Sequence, residues 1–106
     1  MSRTIGPVLG VLSILILASP AAAADAAATF KTKCAMCHGA DGAGQTAMGK
    51  KLAIRALGSA EVQKQTDAEL IAIISKGKGK MPAYGGKISD SEIAGLTAHI
   101  RTFAKK

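Results

Sequence analysis

Tryptophan is absent from this chain of 106 residues, and Phe30, Tyr84 and Phe103 are its only aromatic residues. So few large rings leave a short chain poorly supplied with core. They also leave nucleic-acid bases little to stack on, which argues against a nucleic-acid partner. Acidic residues are few as well, seven against fourteen lysines and arginines. Only two cysteines occur, Cys34 and Cys37, and only two histidines, His38 and His99. Proline is found at positions 7, 20 and 82, with none between His38 and Met81. No apolar run approaches the about 20 residues needed to cross a bilayer. No stretch alternates as a half-buried strand does, so the fold class is all-α.

Residues 1–24 stand apart. They hold no acidic residue, one arginine (Arg3), an apolar run from Val8 to Leu17 and a tail of small residues ending Ala22-Ala23-Ala24. A basic start, a short apolar middle and a small-residue end form the secretory leader pattern. Cleavage is expected between Ala24 and Asp25, leaving one domain of residues 25–106 in the periplasm or another exported compartment, with no stable membrane insertion. Removal of Arg3 lowers the net charge of +7 by one. A chain this basic favours an acidic partner, although the charge also serves solubility.

Three segments read as helices. From about Asp25 to Cys37, Ala26, Phe30, Cys34 and Cys37 recur at helical spacing. From Asp67 to Lys76, Thr66 is a cap, Glu69 completes a capping box, and Leu70, Ile71 and Ile74 form the apolar stripe. Gly77 ends that helix. From Asp90 to Ala104, Ser89 and Glu92 form a second box, and Ile88 and Ile93 are spaced for a hydrophobic staple. Ile93, Leu96, Ile100 and Phe103 make its buried stripe. A Gly-rich loop spans residues 39–49, a short helix is expected within Lys50–Leu57, and Pro82 keeps residues 77–86 irregular.

Cys34-Ala35-Met36-Cys37-His38 has the spacing of covalent haem attachment. Two thiols one helical turn apart reach the vinyl groups on one porphyrin edge, and the histidine that follows brings an imidazole to the iron. A bare CxxC also serves as a disulfide, a thioredoxin-type redox pair or half a zinc site. Zinc lacks its other half here, since only His99 remains, and a thioredoxin fold needs strands. One covalent haem c on Cys34 and Cys37, with His38 on the iron, is the reading retained.

The sixth iron position needs a ligand from the far side. Met36 sits inside the attachment motif, and Met48 follows His38 by only ten residues. Met81 lies in an irregular loop, stiffened by Pro82 and free of helical packing, and is the expected ligand. His99 competes for the role, but its place beside the stripe of the last helix suits a half-buried residue covering the first helix.

CxxCH near the mature start, a late Met81-Pro82 in a loop and a terminal amphipathic helix together resemble the class I c-type cytochromes, specifically the short monohaem bacterial carriers. The resemblance covers residues 25–106. It implies a small cytochrome c fold, three main helices and loops wrapped around the haem, with first and last helices crossing near-perpendicularly. Ala26, Phe30 and Leu96 match the residues expected at that crossing. His99 stands where the family has an aromatic, with Phe103 placed to compensate. Relatives use a proline carbonyl to accept the haem-histidine N–H; here a carbonyl of the Gly42–Gly49 loop is expected to serve. Tyr84, Arg55 or a loop lysine stands in for the family's tryptophan at a haem propionate.

The resemblance implies one-electron transfer between protein partners and no catalysed bond chemistry, by a monomer. Phe30, Leu70, Ile74 and Leu96 are expected to bury the porphyrin. Lys76, Lys78, Lys80 and Lys87 surround the Met81 loop and are placed to steer acidic redox partners. The alternative is an iron that loses Met81 readily and acts as a weak peroxidase or gas sensor.

Overall fold

Alanine has the highest helix propensity of any residue, and the chain uses it to begin its first helix. The computed structural model describes residues 20–104. The expected leader, residues 1–24, lies outside them up to residue 19, and residues 20–24 are seen as helical backbone. α1 (Pro20–Thr29) opens with proline in its first position, where a missing N–H costs nothing. A π-helical turn (Phe30–Cys34) follows, and then α2 (Ala35–His38). α2 ends at Gly39, whose φ of 81° turns the chain away and whose N–H donates to the Ala35 carbonyl.

The straight helix expected over Asp25–Cys37 is therefore corrected. It starts five residues earlier and changes winding at Phe30. A π turn takes more residues than an α turn, so everything after Phe30 is rotated relative to a regular helix. Ala26 and Phe30, each 3% exposed, stay in the core beneath the last helix, while Cys34, Cys37 and His38 come round to a cavity wall.

Two short helices occupy the middle of the chain. α3 (Ala47–Lys51) is capped by Thr46 and α4 (Ala60–Gln63) by Ser59. α3 precedes most of the expected Lys50–Leu57 segment, and α4 has too short an apolar pattern to be seen in the sequence. α5 (Asp67–Lys76) has the predicted bounds. Thr66 accepts from the Glu69 N–H at 3.1 Å, but Glu69 is exposed and its carboxylate makes no return bond among the described residues, so only half the expected box forms.

α6 (Asp90–Arg101) has its full capping box on Ser89 and Glu92. Ile88 and Ile93 are both buried, as the staple requires. The helix stops three residues short of Ala104. The Thr102 hydroxyl bonds the His99 carbonyl, and Thr102, Phe103 and Ala104 each donate to the carbonyl three residues back, tightening the last turn. No strand occurs among the described residues; Lys78 with Met81 and Gly85 with Ile88 form isolated bridges.

The core is one cluster, Phe30, Leu57, Leu70, Ile74, Ile88, Ile93, Leu96 and Ile100. Ile93, 1% exposed, is its most buried large side chain; burying such a residue is worth about 1.5–3 kcal/mol. α1 and α5 both pack against α6. At the α1–α6 contact the rings of His99 and Phe103 lie 5.0 and 5.3 Å from that of Phe30. His99 thus fills the aromatic place, and Phe103 compensates as expected.

A guanidinium closes the fold. Arg101, at the end of α6, donates to the carbonyls of Gln63 (2.8 Å) and Gln65 (2.6 Å) and to the Asp67 carboxylate (2.9 Å). The Gln63 amide returns to the carbonyls of Leu57 and Ile100. Residues 57–67, which contribute Leu57, Val62 and Gln65 to a cavity wall, are thereby held to α6.

Candidate functional site

Two cavities open between the α1–α2 run, the middle segment and the loop 77–86. The outer one, about 220 Å³, is lined by Cys34, Cys37 and His38 on one side and by Met81, Pro82 and Tyr84 on the other. The inner one, about 130 Å³, is walled by core residues including Phe30, Leu70, Ile74 and Leu96. Cys34, His38, Met81 and Tyr84 line both. All four side chains singled out from the sequence, Cys34, Cys37, His38 and Met81, therefore meet around one slot although they span 48 positions of the chain.

Local structure explains their placement. α2 presents Cys37 and His38 from one turn. The loop after it folds back tightly: the Gly44 N–H donates to the His38 carbonyl and the Thr46 hydroxyl to that of Cys37, each at 2.8 Å. Gly49 packs so close behind the motif that a Cβ there would lie 2.5 Å from the Cys37 carbonyl oxygen. Opposite, Gly77 (φ 75°) ends α5 and releases the loop. Lys78 and Met81 then exchange both backbone hydrogen bonds, at 3.2 and 3.0 Å.

The Cys34 and Cys37 thiols are free and half-buried, so the pair is not a disulfide. Burial pushes the Cys34 thiol above its usual range, opposed by the Lys33 charge and reinforced by Cys37. Burial alone pushes His38 below its ordinary 6.5, keeping the imidazole neutral at pH 7. No group of three or more His, Cys, Asp or Glu stands ready to hold a bare metal ion among the described residues.

His38 Nδ1 is buried without a hydrogen-bond partner among the described residues. The expected acceptor in the Gly42–Gly49 loop is not there, because that loop turns donors, not a carbonyl, towards the motif. A half-buried imidazole, two free thiols and a thioether around a largely apolar slot form a donor set that fits haem.

The structure also gives the positions of the other residues singled out from the sequence. His99 lines neither cavity and packs on Phe30. Met48 and Met36 point outward, 40% and 77% exposed. Arg55 also lines neither cavity; it pairs with Glu61 at 3.2 Å on the surface. Of the lysines around Met81, Lys78 and Lys80 line the outer cavity, while Lys76 and Lys87 do not. Lys33 joins them and Gln65 joins the inner wall, with its Oε1 buried and unpartnered among the described residues. Neither is marked by sequence pattern, since each reaches its cavity only through the tertiary fold.

An all-helical fold around such a slot, entered by CxxCH on one side and a Met-Pro loop on the other, defines a small class I c-type cytochrome, a class that carries haem c covalently. Residues 21–100 match the family described as cytochrome c oxidase, cbb3-type, subunit III, and the chain belongs to that family. It is 35% identical over 109 residues to cytochrome c6 of Picosynechococcus sp., covering 94% of this chain and 92% of that protein. It is 38% identical over 86 residues to cytochrome c6 of Leptolyngbya boryana, covering 78% of this chain and 98% of that one. Among solved structures, the KustC0563 c-type cytochrome superposes with a TM-score of 0.70 at 30% identity, over 76% of this chain and 98% of its own.

Proposed function

We propose that the chain is an exported carrier of single electrons whose haem is bonded through Cys34 and Cys37 and ligated by His38 and Met81. The observation that carries this reading is the convergence of these four side chains on one apolar slot. When bound, the haem supplies one-electron exchange between ferric and ferrous iron.

The chain's own residues set the terms of that exchange. His38 is kept neutral by burial, so its lone pair is available to a metal. The Met81 thioether, a soft donor, favours the reduced state and raises the potential relative to a second imidazole. Walls of Phe30, Leu70, Ile74 and Leu96 disfavour the additional charge of the oxidised state, which acts in the same direction. With ligands on both sides no position is left for a substrate, so the protein carries electrons and catalyses no bond change.

Lys33, Lys78 and Lys80 at the outer cavity support an acidic redox partner drawn in by charge. Steering of this kind weakens as salt screens it, over roughly 8–10 Å at 0.1–0.15 M ionic strength. The near full-length match to cytochromes c6 favours a free carrier over a fused module. No helix among the described residues is long and apolar enough to cross a membrane. The leader pattern of residues 1–24 supports export, and cleavage after Ala24 would leave the first helix to begin at Asp25.

Stopped-flow reduction of the haem protein by an acidic redox protein tests this function. Fast single-electron kinetics, slowed by added salt, are expected. Kinetics indifferent to salt would remove the steering, and turnover of peroxide at enzymatic rates would replace the carrier with a peroxidase.

A further inference from the structure

The loop bearing Met81 is tied almost wholly to the helix it springs from. The Tyr84 and Gly85 N–H groups donate to the carbonyls of Ile74 and Ser75 in α5, each at 3.0 Å, and the Lys78–Met81 pair closes the loop on itself. Those bonds fix its shape, but none of them holds it against the opposite wall. One hydrogen bond among the described residues does: the Tyr84 hydroxyl donates to the Lys33 carbonyl at 3.2 Å, joining positions 51 apart. Lys33 lies in the π-helical turn just before Cys34, so the bond ties the Met81 loop to the segment that delivers the attachment motif.

We propose that Tyr84 is a positioning residue, a latch whose hydroxyl holds the Met81 loop shut over the slot and sets how often the sixth iron position opens. The inference rests on the reading of Met81 as an iron ligand. The ring of Tyr84 lines both cavities, and a phenyl ring would fill the same space, so packing alone does not call for the oxygen. A carbonyl has two lone pairs, which lets the Lys33 oxygen take the phenol in addition to any bond within its own turn. Burial raises the Tyr84 pKa, so the hydroxyl remains a donor well above neutral pH.

The test compares the haem-loaded protein with Tyr84→Phe, which keeps the ring and loses only the oxygen. Cyanide reaches ferric iron only when Met81 has left, so its binding rate reads loop opening. The variant is expected to keep the sulfur-to-iron absorption band and to bind cyanide roughly five-fold faster, the factor carried by one ordinary protein hydrogen bond. Amide hydrogen exchange should quicken within residues 77–86 and stay unchanged in α6. An intact band with an unchanged cyanide rate would overturn the latch. Exchange accelerated equally in α6 would overturn it too, by making the hydroxyl a general prop. Absence of the band from the unaltered protein would instead overturn the Met81 ligation beneath it.

Discussion

Replacing Arg101 separates the two kinds of contact that its guanidinium makes. Towards Asp67 it forms an ion pair whose carboxylate side is 71% exposed, and such surface pairs contribute about 0–1 kcal/mol. Towards the carbonyls of Gln63 and Gln65 it makes two charge-assisted, half-buried bonds. Bonds to charged groups are worth about 1.5–3 kcal/mol each, at the lower end where water has partial access. Arg101→Met keeps the apolar stem and should cost about 2–4 kcal/mol, whereas Asp67→Asn should cost under about 1 kcal/mol. Urea unfolding of both haem-loaded variants, followed by far-UV circular dichroism, measures the difference. Salt at 0.5 M should narrow the effect of Asp67→Asn and leave most of that of Arg101→Met. Equal losses in the two variants would refute the view that α6 is clamped through backbone carbonyls.

Other outcomes follow from packing. Ile93→Ala, at the most buried position of the core, should cost about 2–5 kcal/mol in the same unfolding assay. Gly49→Ala places a methyl 2.5 Å from the carbonyl oxygens of both Cys37 and Gly44; overpacking of this kind costs about 1–3 kcal/mol, and a variant of unchanged stability would contradict the close approach. His99→Phe should leave the haem spectrum unaltered and stability unchanged or up to about 1 kcal/mol higher, through better ring contact with Phe30; loss of the ferric spectrum would make His99 a ligand.

What the sequence made legible was local. Thr66 and Gly77 bound α5, and Ser89 with Glu92 opens α6, because caps and boxes are written within four residues. The meeting of Cys34, Cys37, His38 and Met81 was legible because covalent attachment demands a fixed spacing and because Met81 stands before Pro82 in a glycine-punctuated loop, outside any helical stripe. The π turn at Phe30 was not, since side-chain spacing of four fits an α-helix and a slightly wider one alike. α4 is a single turn, too short for a period. Lys33 and Gln65 escaped notice because their roles depend on which distant wall they face. A lone arginine in a loop likewise carries no mark of its partner, which for Arg55 is Glu61.

The most direct test of the whole account is the visible spectrum of the purified ferric protein beside that of Met81→Ala. The account predicts a weak long-wavelength sulfur-to-iron band in the first and its loss in the second, with haem still covalently attached in both. A low-spin ferric spectrum without that band, unchanged by the substitution, would contradict it.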